Sequence, residues 1–253
     1  MTTQVLLDAA DGILTVTINR PEARNAMTKA ASEAIAAAMD RLDAEDDLRC
    51  AILTGAGGNF CSGMDLKGFL RGELPVAGER GFGGLTAWTP RKPVIAAVDG
   101  HALAGGFELA IACDCIVANV DAKFGIPEAK RGLVAGGGGV VRLPRLVPRA
   151  IALEMAMTGD SIPAQRAYEL GLVNRLTPGP ALDGARALAR QIVANGPLAV
   201  AASKAVVRES WLWPDEDINT RQNTYIAPVF ASQDAREGAR AFAEKRAPQW
   251  QGR

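Results

Sequence analysis

Three times this 253-residue chain runs an apolar stretch into a cluster of glycines. Cys50 to Thr54 leads into GAGGNFCSGMDLKGF, Gly55 to Phe69; PVIAAV leads into GHALAGG and then FELAIAC; Ala122 to Pro127 leads through Glu128 into AKRGLVAGGGG, Ala129 to Gly139. Short apolar runs that end in glycine read as buried strands whose ends bring backbone close to something. A ligand, a tight helix–core contact or a plain mobile loop each satisfies that composition. The repetition restricts the fold to strand, turn and helix units whose glycine-rich ends can converge.

The rest of the chain fits this scheme. Val5 to Leu7 and Ile13 to Ile18 read as a hairpin about Asp11-Gly12, with Leu14, Val16 and Ile18 alternating onto one face. The polar NRPEARN run, Asn19 to Asn25, breaks the strand. Ala31, Ile35, Met39 and Leu42 then stand at helical spacing between Thr28 and Leu42. Helices are expected over Phe107 to Cys113, from Val140, and over Ala150 to Thr158, Pro163 to Leu170 and Ala181 to Ala194. After Asn195-Gly196-Pro197 the remainder reads as helical: Leu198 to Trp211, Asp217 to Phe230 and Asp234 to Lys245. Asp234 and Glu237 resemble a capping box. One boundary is drawn near residue 195, separating a core of residues 1–195 from a helical region of residues 196–253. The apolar faces of that region suggest docking onto a neighbouring subunit.

Charge excludes several functions. Lys and Arg total 28 and Asp and Glu total 28, and no basic run supplies a footprint for nucleic acid. No apolar run approaches the ~20 residues of a membrane span, and Met1 to Gln4 lacks the pattern of a secretory signal, so a cytoplasmic location is expected. Cys50, Cys61, Cys113 and Cys115 match neither a redox CxxC nor zinc spacing, and reduced, mostly buried thiols are expected. His101 is the single histidine, which excludes a multi-histidine metal site; a structural role is expected for it.

The stretch HALAGGFELAIACD, His101 to Asp114, carries one carboxylate within its apolar run, Glu108. At a helix start Glu108 either complements the dipole or does chemistry beside amides free to bind an oxyanion. The four glycines Gly136 to Gly139 are followed by no Gly-Lys-Ser/Thr, which argues against a P-loop, and a dinucleotide fingerprint is not satisfied.

Several blocks in order resemble the enoyl-CoA hydratase/isomerase, or crotonase, superfamily. They are NRPEARNAM (Asn19 to Met27), GNFCSGMDL (Gly58 to Leu66), AAVDGHALAGGFELAIACD (Ala96 to Asp114), FGIPEAKRGLVAGGGG (Phe124 to Gly139) and AFAEKRAP (Ala241 to Pro248). The resemblance implies an α/β fold, a spiral of ββα units with a C-terminal helical trimerisation region, assembled as a homotrimer or a dimer of trimers. It implies an acyl-CoA thioester as substrate, with coenzyme A part of the substrate and no separate cofactor or metal.

By position, the resemblance puts an oxyanion hole on the backbone amides of Met64 and Gly105. It fills both carboxylate positions of the hydratase-like members, with Glu108 for the water and Glu128 for the α-carbon proton, and gives the Gly136 amide a part in holding the water. Binding of coenzyme A falls on Arg24, Ala26, Ser62, Asp65, Leu66 and Lys67, with Phe242 and Lys245 contributed by the closing helix of an adjacent subunit. The implied reaction is syn hydration of a trans-2-enoyl-CoA to a 3-hydroxyacyl-CoA. Isomerisation of an enoyl-CoA, hydration of a bulkier steroid side-chain or carnitine-type thioester, and a catalytically silent acyl-CoA-binding subunit are the alternatives. Met64 is larger than the usual alanine or glycine, Ala135 replaces a frequent proline, and Val140-Val141 replaces Thr-Gln; these departures bear on substrate preference. Arg71 to Thr89, the expected wall of the acyl pocket, carries five glycines and yields no element.

Overall fold

The computed structural model describes residues 3–253; Met1 and Thr2, the start of the Met1–Gln4 stretch, lie outside the described residues. Its centre is a six-stranded sheet. The strands are β1 (Val5–Ala10), β2 (Ile13–Ile18), β3 (Cys50–Gly55), β4 (Val94–Val98), β6 (Cys115–Asn119) and β9 (Arg175–Thr177), in that spatial order. A three-stranded sheet holds β5 (His101–Leu103), β7 (Lys123–Gly125) and β8 (Ile162–Pro163). β1 and β2 form the antiparallel hairpin, and every later neighbour in the large sheet is parallel.

Both faces of the large sheet are covered, which is why β3 and β4 read as continuous apolar runs rather than alternating ones. Leu14, Val16 and Ile18 of β2 enter the main core with Ile35, Met39 and Leu42 of α1 (Lys29–Ala44). On the other face Ile13, Ile52, Ile95 and Val117 pack against Ala181, Ala185 and Ala189 of α7 (Ala181–Val193). Alanine at i, i+4 and i+8 gives that helix a smooth stripe that lies close to the strands.

The remaining helices are α2 (Leu66–Leu70), α3 (Gly105–Ala112), α4 (Gly139–Leu146), α5 (Arg149–Thr158), α6 (Ala164–Glu169), α8 (Pro197–Glu209), α9 (Ile218–Ala231) and α10 (Gln233–Glu244). α8 is anchored to the core through Asp114, which pairs with Lys204 at 2.6 Å and Arg208 at 3.0 Å. The expected capping box at Asp234 does not form. Ser232 caps α10 by accepting from the Ala235 amide, while the Asp234 carboxylate accepts from the amides of Gln251 and Gly252 at 2.7 and 2.9 Å. Glu237 pairs with Arg246 instead of reaching the helix start. A returning C-terminal tail therefore takes the acid that sequence spacing assigned to a cap. All four cysteines are free, three of them buried, and no described helix is long and apolar enough to cross a membrane.

Candidate active site

β3 and β4 are parallel neighbours in the large sheet, so the glycine-rich segments that follow them emerge at the same edge, and the third segment follows β7, which pairs in parallel with β5 just before Ala104 and Gly105. Ligand sites of open α/β sheets form beyond the carboxyl ends of strands for this reason. After β3 the chain is held between two others: Met27 bridges to Met64 and Cys61 to Ala102, both in parallel sense. The fit leaves no room for a side chain at Gly106, where an added Cβ would lie 2.1 Å from the Cys61 carbonyl oxygen. The start of α3 is thereby pressed onto the Cys61–Met64 segment.

This interlock brings together two amides from distant parts of the sequence. Around Met64 the bridge uses the flanking groups, Met27 N donating to the Gly63 carbonyl and Asp65 N to the Met27 carbonyl, at 2.7 and 3.0 Å. The Met64 amide is left facing away from that bridge. Gly105 opens α3, so its amide has no acceptor within the helix. The preceding residue, Ala104, holds φ 52° and ψ −131°, a sparsely populated conformation for a residue with a Cβ. That kink turns the chain from β5 into the helix and sets the direction of the Gly105 amide. Met64, Ala104 and Gly105 all line one cavity of about 820 Å3.

Glu108 is the sole charged residue of α3, a helix whose every residue is buried. Its own exposure is 2 %. A carboxylate in such a place needs partners, and the glycine run provides them: the Gly139 amide donates to Glu108 Oε1 at 2.8 Å, and the Gly137 backbone beside the carboxylate favours its charged form. A Cβ on Gly137 would lie 2.7 Å from Glu108 Oε2. Burial raises the Glu108 pKa, and the two glycine backbones and the Arg142 cation oppose that rise.

Glu128 follows Pro127 in a short 3-10 turn after β7 and faces the same cavity. Its Oε2 is buried with no hydrogen-bond partner. Burial raises its pKa and the charge of Glu108 adds to the rise, against its own amide and Arg131. The site thus holds two carboxyl groups of raised proton affinity that are held differently, one accepting from a backbone amide and one with a free oxygen.

Arg24, Ser62, Leu66 and Gly136 also line the cavity. Ala26 is buried beside it in sequence, its carbonyl accepting from Arg20. Asp65 is engaged within the protein: it pairs with Arg20 at 2.9 Å and caps α2 by accepting from the amides of Lys67 and Gly68. Lys67 is exposed on α2. Phe242 is 87 % exposed, at the end of α10, and neither it nor Lys245 lines the cavity within this chain. His101 Nδ1 lies 2.9 Å from Asn59 Oδ1, a contact between β5 and the loop after β3, outside the cavity lining.

Sequence reasoning missed Gly137, Gly139 and Arg142. Arg142 donates to the Gly137 carbonyl at 3.0 Å and to the Thr86 carbonyl, tying α4 and the glycine run to the wall formed by residues 81–87. No spacing rule marks these groups, because two act through backbone amides and the third through contacts with carbonyls remote in sequence.

Comparison with known proteins places the chain in a family. A family model described as enoyl-CoA hydratase/isomerase matches residues 8–253. A carnitinyl-CoA dehydratase of Salmonella typhi is 46 % identical over 250 residues, 95 % of each chain. The crystal structure of an enoyl-CoA hydratase from Mycobacterium tuberculosis H37Rv superposes with a TM-score of 0.97 at 58 % identity, covering 99 % of each chain. A carnitinyl-CoA hydratase from Mycobacterium avium is 39 % identical with a TM-score of 0.79, covering 100 % of each. The chain is a member of the enoyl-CoA hydratase/isomerase family and has the crotonase fold.

Proposed function

We propose that the protein is an enoyl-CoA hydratase that adds water reversibly and syn across a trans-2-enoyl-CoA. The observation that carries this reading is the pair of unequally held carboxyl groups, Glu108 and Glu128, facing one cavity beside two amides available to a thioester oxygen. The thioester carbonyl binds the Met64 and Gly105 amides. Glu108, with the Gly139 amide donating to it, is the ionised partner and takes a proton from water as the oxygen attacks Cβ. Glu128, with the raised pKa and the free oxygen, gives its proton to Cα. Negative charge that gathers on the thioester oxygen between these events is met by the two amides, an arrangement worth several kcal/mol. The Gly136 amide helps to hold the water.

The adenosine end of coenzyme A is assigned to the Arg24–Ala26 segment and to Ser62, Leu66 and Lys67. Asp65 supports that wall through Arg20. Phe242 and Lys245 of a neighbouring subunit complete the site in a homotrimer or a pair of trimers. The exposure of Trp211, Leu212, Phe230 and Phe242 on the helical region supports such an assembly.

Loss of the enoyl-thioester absorbance of crotonyl-CoA tests the activity, with the product identified by mass. Turnover to a 3-hydroxyacyl-CoA supports hydration; double-bond migration without gain of water favours isomerisation; binding without turnover favours the silent subunit.

A further inference from the structure

The glycine-run side of the cavity carries Arg131, Arg142 and Arg145, and the only acidic side chains in the lining are Glu108 and Glu128. Arg142 and Arg145 share one face of α4 with Val141, at helical spacing. Arg142 donates to two carbonyls, which orient it, and its charge acts on Glu108 without a direct ion pair. Arg145 is exposed and makes no ion pair among the described residues. The lining also includes the apolar side chains of Leu74, Val76 and Phe82.

This lining is hostile to a fixed positive charge. A quaternary ammonium has no N–H to donate and is held by carboxylates or by several aromatic faces. Phe82 is the one aromatic ring in the lining, and it is packed on the oxyanion segment: a Cβ on Gly105 would lie 2.2 Å from its Cζ. The two acids flank the reacting carbons. The carnitine-type acyl group named for the relatives carries a trimethylammonium, so likeness of sequence and chemistry of the pocket part company here.

We infer that the acyl end of the cavity rejects a cationic acyl group and takes a 2-enoyl-CoA whose far end is a carboxylate, which Arg145 binds with Arg142 behind it. The apolar wall covers the intervening carbons. The inference rests on the hydratase reading for its reaction and on the lining charges for its specificity.

The test compares two pairs of measurements. A trimethylammonium-bearing 2-enoyl-CoA and a carboxylate-bearing 2-enoyl-CoA are each set against an uncharged carbon isostere, and kcat/KM is taken as the ratio within each pair. The cation is expected at least tenfold below its isostere and the anion about tenfold above its own. Arg145→Glu is expected to reverse the anion preference, and Arg145→Gln to shift both ratios the same way by less. Equal rates for the cation and its isostere, or ratios unmoved by both substitutions, overturn the inference. Calorimetric binding of the saturated analogues reads the same order without chemistry. Failure of the hydratase reading appears as no turnover of any thioester, crotonyl-CoA included, with the binding order intact; failure of the charge inference appears as a flat binding order.

Discussion

Glu108 and Glu128 face the same cavity, but the Gly139 amide holds Glu108 at 2.8 Å whereas Glu128 Oε2 is buried without a partner. Both carboxyl groups have raised proton affinity, and their surroundings differ in what an ionised oxygen would meet. That difference separates the effects of two otherwise identical substitutions.

Glu128→Gln is expected to abolish most turnover and to stabilise the fold at neutral pH. A carboxyl whose folded pKa is raised contributes stability that is present below its unfolded pKa and lost as pH rises through the folded value. At pH 7 the wild-type group is therefore a liability, and removing the charge should raise Tm by about 2–4 °C, corresponding to ~1 kcal/mol. The gain should vanish near pH 4. Scanning calorimetry at the two pH values checks it; an equal gain at both would tie the effect to packing and not to the proton.

Glu108→Gln should behave otherwise. An amide side chain still offers one oxygen to Gly139, but puts an NH2 beside the Gly137 backbone, where an oxygen stood and which favours a negative group. Turnover is expected to fall by about 10²–10⁴ with no gain in Tm at pH 7. A Tm increase matching that of Glu128→Gln would contradict the different environments assigned to the two residues.

Gly137→Ala tests the cradle directly. The new Cβ would lie 2.7 Å from Glu108 Oε2, so the carboxylate or the loop must move. A displacement near 1 Å in a catalytic group costs about 10²-fold in rate. The expected result is a fall in kcat with KM for crotonyl-CoA changed less than threefold, read from initial rates. A change confined to KM would place Gly137 with substrate binding.

How much of this was legible beforehand follows from what kind of signal each feature leaves. The β1–β2 hairpin, α1 and the apolar strands β3 and β4 announced themselves through turn residues and periodicity, and the structure keeps them to within about three residues, the largest difference being β1, which runs on to Ala10. β5, β8 and β9 are two or three residues long, too short for any period to show, and they exist because neighbouring backbone pairs with them. Glu108 stood out as a charge in an apolar helix. Its partners did not, since the Gly137 and Gly139 amides become specific only when α4 is laid against α3. Asp234 was misread for the converse reason: a correct local spacing was overridden by the C-terminal tail, whose amides reach its carboxylate from 17 and 18 residues away.

Arg142→Met should uncouple the glycine run from the cavity wall. The guanidinium holds the Gly137 and Thr86 carbonyls, and its charge lowers the Glu108 pKa. Without it the Glu108 pKa rises further, so the acid limb of the kcat/KM profile is expected to move to higher pH. Arg142→Lys, which restores the charge but not the fork that spans two carbonyls, should return the limb toward its wild-type position while leaving kcat low. A profile unchanged in both variants would show that Arg142 has no electrostatic hold on the base.

Asp114→Asn probes the attachment of the helical region. Asp114 sits between Lys204 and Arg208 of α8, with side-chain exposures of 16 %, 9 % and 31 %. Burial lowers the Lys204 pKa and the Asp114 charge opposes that shift, so the acid offsets part of the cost of burying the cation. Removing the acid strands two cations against the core, and breaking a mostly buried pair from one side costs about 3 kcal/mol. The denaturation midpoint should fall accordingly. The double variant Asp114→Asn with Lys204→Met should recover part of the loss, because the worse-placed cation leaves with its partner. Additive losses in that double-mutant cycle would show that Lys204 holds α8 through its Lys92 carbonyl contact at 2.8 Å and not through the acid.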